Sequence, residues 1–165
     1  MTVGAHRQDR HSAGFTLIEM LVSLAIIALI ASIAAPAMQT IQKSHQEAEL
    51  RDALMTIRGA LDAYKQASDN RRIPVKVGSS GYPSNLDELW MGVTDLSSPT
   101  PRKIYFLRRL PRCPLYSGAV VPAAQTWGTR SYESPPDHPE EGDDVFDVYC
   151  KAAGVGLNGV PYNEW

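Results

Sequence analysis

At 165 residues the chain has room for one modest domain and an appendage. Its 16 basic and 18 acidic residues leave a formal charge of −2, and no Lys/Arg block is long enough for a nucleic-acid arm. Two cysteines, Cys113 and Cys150, exclude a disulfide-rich scaffold and a four-thiolate zinc site.

The first fourteen residues, MTVGAHRQDRHSAG, are polar, with Arg7 and Arg10 set against Asp9. From Phe15 to Ala35 the chain is apolar except for Thr16, Glu19 and two serines. Those 21 residues would span roughly 31 Å as a helix, enough to cross a bilayer core. The basic leader favours a cytoplasmic N-terminus and an exported C-terminal part after Pro36. A signal anchor would account for the length of this run. A cleaved secretory signal would use the small residues Ala35 to Ala37, but its apolar core is usually only about 7–15 residues. Neither gives a reason for Glu19, since an unanswered carboxylate in hydrocarbon is costly.

From Gln39 to Gln66 the residues are good helix formers without proline. Leu50, Leu54, Ile57, Leu61 and Tyr64 recur at steps of four and three, a stripe that predicts a core-facing helix surface. Joined to the apolar run this makes a helix of about 50 residues. His45 falls on its polar side and is expected in solvent.

The segment Asp69 to Gly81 reads as a surface loop. In Gly81 to Trp90 a turn precedes a short helix, with Ser84 expected as N-cap and Asp87 in the reciprocal position. The stretch Ser97 to Lys103 is a further loop, and Lys103 to Pro114 carries a short apolar element. Thr126 to Tyr132 and Asp144 to Cys150 alternate as strands do, flanking an acidic, proline-rich loop that holds His138. Asn158-Gly159 signals a turn. The match of Gly154 to Gly159 to G-x-G-x-x-G is accidental, because no helix or distant acid can follow in the six residues that remain. There is no phosphate-loop, H-E-x-x-H or G-x-S-x-G motif, and an enzyme is not expected.

Gly14-Phe15-Thr16-Leu17-Ile18-Glu19 resembles the cleavage and methylation signature of type IV prepilins and of the pseudopilins of type II secretion. The resemblance implies that a prepilin peptidase cuts after Gly14 and that Phe15 is N-methylated. It also implies that the α-amino group so freed meets Glu19 of a neighbouring subunit, and that Pro36 kinks or loosens the helix. Gly at the cut leaves the peptide accessible, and a freed amine has an ordinary pKa of about 7.7–8.0. Tyr82 to Leu89, Leu107 to Pro111, the Trp and Asp-Val-Tyr strands and the closing Asn158 to Trp165 extend the likeness towards the major pseudopilins. The implied architecture is α+β, the pilin fold: a long N-terminal α-helix, its first half transmembrane, packed on a small antiparallel β-sheet. Its expected parts are a leader (1–14), a transmembrane and filament-core helix (15–37), an amphipathic helix (38–67) and a periplasmic globular domain (68–165).

The chain departs from that pattern in two places. Where relatives read Leu-Pro-x-Asp-Pro, it has Leu110-Pro111-Arg112-Cys113-Pro114, and its last strand ends in Cys150. An exported domain with cysteines at those points suggests one disulfide, the alternative being two buried free thiols. The resemblance also brings calcium into question. Asp137, Glu140, Glu141, Asp143, Asp144 and Asp147 supply oxygens, with Asp143, Asp144 and Asp147 as candidates, yet Lys151 to Pro161 has no carboxylate. The family's site therefore does not carry across residue by residue, and no cofactor is expected.

The expected function is that of a structural subunit polymerising into a periplasmic filament for protein export. Its expected partners are copies of itself, other pseudopilins, prepilin peptidase, an inner-membrane platform with its ATPase, and the lipid bilayer, but not nucleic acid. It would be an inner-membrane, single-pass protein with its C-terminal domain in the periplasm. The alternatives are a type IV pilus subunit for adhesion, motility or DNA uptake, and an anchored periplasmic binding or enzymatic domain.

Overall fold

The computed structural model describes residues 15–165, with the side chains of 33–37 outside that description. The expected leader, and with it Gly14, therefore lies outside the described residues. The chain divides into two units, one ending at Ile41 and the other running from Gln42 to Trp165.

Helix α1 runs from Leu17 to Asp69 and continues through position 36, so Pro36 is no helix stop. In the first unit Phe15, Leu17, Leu21, Leu24, Ile27 and Leu29 are exposed on the single chain. Among the described residues no helix is long and apolar enough to cross a membrane.

In the second unit the stripe is buried as its spacing requires. Leu50, Leu54, Ile57, Leu61 and Tyr64 are covered, and Ala53, Ala60 and Ala67 fill the gaps between them. Against this face lie Ile73, Leu86, Leu89, Leu107, Leu110, Trp127, Val145 and Val148, which with the stripe form the core. The helix ends where Arg71 turns left-handed (φ 54°) and the Arg72 amide reaches back to the Ala67 carbonyl at 2.9 Å. This is the usual way to close a last turn, here with arginine where glycine is commoner.

Helix α2 is short, Asp87–Met91. Its start differs from expectation: Leu86 holds the cap position without a side-chain cap bond, the Glu88 amide donates to Asn85 Oδ1 at 3.2 Å, and Ser84 lies at 3.5 Å from Lys76 Nζ. A helix starting at Asp87 places Asn85, rather than Ser84, three residues before the amide that needs an acceptor. The Tyr64 hydroxyl donates to Glu88 at 2.7 Å, joining α2 to α1.

Strands β1 (Val93–Thr94) and β2 (Lys103–Ile104) pair antiparallel, as do β3 (Trp127–Arg130) and β4 (Asp147–Cys150). The expected small sheet is thus two separate two-stranded ribbons. Proline explains the division: Pro99 and Pro101 precede β2, while Pro111, Pro114 and Pro122 interrupt the chain before β3. Each lacks the amide a continuous ladder needs. In the longer ribbon Trp127 faces Cys150 and Gly128 faces Tyr149. The Tyr149 ring lies across Gly128 so closely that an added Cβ would fall 2.1 Å from it. At Asn158-Gly159 the expected turn is present, with Gly159 at φ 81° and the Gly156 amide bonded to the Val160 carbonyl.

Ribbons this short are marginal alone, so α1 must supply the floor of the domain. Ile57, fully buried at the middle of the stripe, tests this. Ile57→Ala is expected to lower unfolding free energy by about 2–5 kcal/mol in denaturant titrations. The exposed Met55→Ala should stay within about 0.5 kcal/mol of the parent.

Candidate functional site

At its N-terminal end α1 is set up by Thr16. Its hydroxyl oxygen accepts the Glu19 amide at 3.2 Å and its carbonyl accepts the Met20 amide. The run Thr-x-x-Glu is a capping-box pattern that the expectations above did not use. Only one arm of the box forms. The Glu19 side chain is exposed, and among the described residues its carboxylate has neither a hydrogen bond nor an ion pair. It therefore remains available to a partner.

The acidic residues of the globular half serve other ends. Asp144 is buried and accepts from the hydroxyls of Ser80 and Ser131 and from the Tyr132 amide, the last two at 2.8 and 2.9 Å. Burial alone would raise its pKa. The three donors outweigh that and hold the carboxyl below its ordinary value of 3.8. Asp147 is gripped by Arg58, with Nε at 2.7 Å, and by Arg130 at 3.4 Å. Asp143 is exposed.

A calcium ion needs about six to eight oxygens, several of them from carboxylates free to turn inward. Here Asp144 is saturated by donors and Asp147 by guanidinium groups. Among the described residues no three His, Cys, Asp or Glu side chains gather as a metal site. The residues present do not fit the ion.

Cys113 and Cys150 form a disulfide with Cα atoms 5.9 Å apart. It ties the segment after Leu110-Pro111 to the end of β4, beside buried Trp127, whose indole donates to the Pro111 carbonyl at 2.8 Å. The open cleft next to Asp144, about 1490 Å³, is lined by Ser80, Tyr82, Ser131 and Tyr132 among others, with neither His nor Cys. His138 and His45 are exposed.

Sequence reasoning missed Ser80 and Ser131 as partners of Asp144, and nothing local in the chain signals them. It also missed Glu47, for which a signal existed. Glu47 stands three residues before Leu50, so it lies on the apolar stripe itself, and it is only 2 % exposed.

A long N-terminal helix followed by small antiparallel ribbons is an α+β, pilin-like architecture. Residues 9–35 match the prokaryotic N-terminal methylation motif. The chain is also 32 % identical over 111 residues to the type II secretion system core protein G of Aeromonas hydrophila, covering 65 % of this chain and 70 % of that one. No solved structure matches it. The chain belongs to the type II secretion pseudopilins, within the type IV pilin-like group.

Two outcomes follow for stability. Because the folded carboxyl of Asp144 titrates below 3.8, its contribution is complete above that pH and is lost as pH falls through the lowered folded value. Asp144→Ala should therefore be less stable at neutral pH and lose less on acidification below about pH 4, read by tryptophan fluorescence. Cys150→Ser, or reduction, should cost about 3–4 kcal/mol in denaturant unfolding, for the cross-link spans 37 positions.

Proposed function

We propose that this chain is a filament-forming structural subunit of a type II secretion system, processed before assembly and not itself an enzyme. Prepilin peptidase removes residues 1–14 by cutting between Gly14 and Phe15, and the new N-terminus of Phe15 is methylated. The subunit resides in the inner membrane through 15–37, with its globular part in the periplasm. It then joins a filament with copies of itself and other pseudopilins, on a membrane platform driven by a separate ATPase. Extension of that filament moves folded proteins outward.

The observation that carries this reading is Glu19. It is the one charged residue in the apolar run from Phe15 to Ala35, inside the matched methylation motif, and its side chain lacks a partner among the described residues. Cutting at Gly14 creates the positive amine it needs. On the apolar surface of a neighbouring subunit such a pair is favourable, whereas either member alone is stranded. Pro36 serves the same end by loosening the helix where subunits bend past one another.

Mass spectrometry of the native protein should give an N-terminus at N-methylated Phe15. An intact Met1, or a terminus near Met38, overturns the processing step. Glu19→Gln should abolish filaments seen by electron microscopy while the globular part keeps its fold. Normal filaments from that variant would reject the pairing. Loss of secretion rather than of surface pili in a deletion strain separates this role from that of a pilus subunit.

A further inference from the structure

The C-terminal segment from Gly154 to Trp165 is the part of the fold in which the family resemblance raises a cation, and it has a single acid, Glu164, outside its loop. Its order comes from one face of α1. Lys43 Nζ donates to the Val155 carbonyl at 2.7 Å. Glu47 Oε1 accepts both the Leu157 amide, at 2.8 Å, and the Tyr162 hydroxyl, at 3.0 Å. The Arg51 guanidinium lies 4.5 Å from the centre of the Trp165 indole. Arg58 Nη2 donates to the Trp165 main-chain oxygen at 2.8 Å. Positions 43, 47, 51 and 58 are separated by four, four and seven residues, so they share one side of the helix.

We infer that this side of α1, along the edge of its apolar stripe, is a built-in clasp that fixes the C-terminal segment without a metal, and that the folded chain is indifferent to calcium. The chemistry of an ion-held loop is divided here among tethered side chains. A calcium ion orders a loop by drawing carbonyl oxygens to one positive centre. In this chain the ammonium of Lys43 and the guanidinium of Arg58 take the carbonyls, and they bring their charge on covalent stems. Glu47 does the opposite task, gathering the two donors of the segment, an amide and a phenol. Burial of the Tyr162 phenol, then its hydrogen bond to Glu47 and the charge of that carboxylate, raise its pKa, so it stays a donor throughout the neutral range. The disulfide holds the root of the segment at Cys150. Within this set each charge meets a group of suitable polarity, and Glu47 Oε1 already accepts two donors.

This inference stands on contacts within one chain and does not depend on filament formation. The test uses the full chain purified in detergent, with thermal unfolding followed by tryptophan fluorescence in excess chelator or in millimolar calcium. The midpoints should agree within about 1 °C, since a ligand stabilises only what it binds. A saturable rise of several degrees with calcium would overturn the inference.

Amide hydrogen exchange supplies the second arm, read on peptides covering 154–162. Glu47→Ala should speed exchange at Leu157 roughly 10–100-fold, as expected for a donor that loses its acceptor. Lys43→Met, at the solvent edge and able to fold if Glu47→Ala is not, should speed exchange across 154–160 relative to the parent. Glu47→Gln keeps an acceptor oxygen and should retain most of the protection. Exchange in Lys43→Met and Glu47→Ala no faster than in the parent would show that the clasp does not hold the segment.

Discussion

The stripe Leu50, Leu54, Ile57, Leu61 and Tyr64 has to be covered, and everything after Asp69 is arranged to cover it. Strands of two and four residues cannot make a sheet that stands by itself. They become stable only as pieces laid on a preformed apolar surface. The ribbon β3–β4 contributes Trp127, Val148 and Cys150 to that surface. The stretch from Leu86 to Leu110 contributes leucines from α2 and from the turns around it. The same dependence explains why a domain interrupted by so many prolines still has one continuous core. The helix supplies the continuity that the rest of the chain lacks.

Two glutamates on α1 show how one element serves two chemistries. Glu47 is buried, and its charge is met inside the chain by an amide and a phenol more than a hundred residues away. Glu19 is exposed on a helix surface that carries no other charge, and no described residue meets its carboxylate. A buried acid must be satisfied where it folds, because the cost of leaving it unpaired is large. An acid left open on an apolar surface acquires that cost only when the surface is covered. It thus acts as a condition on what covers it, and a surface bringing a positive group satisfies that condition.

Much of this was legible in the chain. The 3.6-residue periodicity of the stripe and the Asn158-Gly159 turn are local patterns found where the pattern puts them, whereas the strand expected from Asp144 begins only at Asp147. The expected Ser84 cap is absent because α2 starts at Asp87 with Leu86 in the cap position, and the Glu88 amide is met by Asn85 instead. The division into two ribbons needed the positions of the prolines to be weighed against the alternating residues. Asp144 and Glu47 belong to a different class. Their partners are fixed by tertiary approach, across 64 residues for Ser80 with Asp144 and 115 for Glu47 with Tyr162. Polarity marked only Glu47, as a charge on an apolar stripe. Nothing nearby marked Asp144.

The long sequence separations also bear on how the segment after β4 is ordered. Bringing residues about a hundred positions apart into register has an entropic cost that grows only slowly with length, but it must be met before any contact forms. A helix lowers that cost by presenting Lys43, Glu47, Arg51 and Arg58 on one side, already spaced, so that the first contact aligns the others. Arg58 has the central place. It grips Asp147 at the start of β4 and the main chain of Trp165 at the end of the segment, so that strand and tail are read from a single side chain. The disulfide anchors the end of β4 at Cys150, and only a few residues separate that anchor from the first clasp contact at Val155. An order imposed in this way is a property of the helix face and not of the loop it holds, which explains how the glycine-rich stretch from Gly154 to Gly159 can be fixed with no acid of its own.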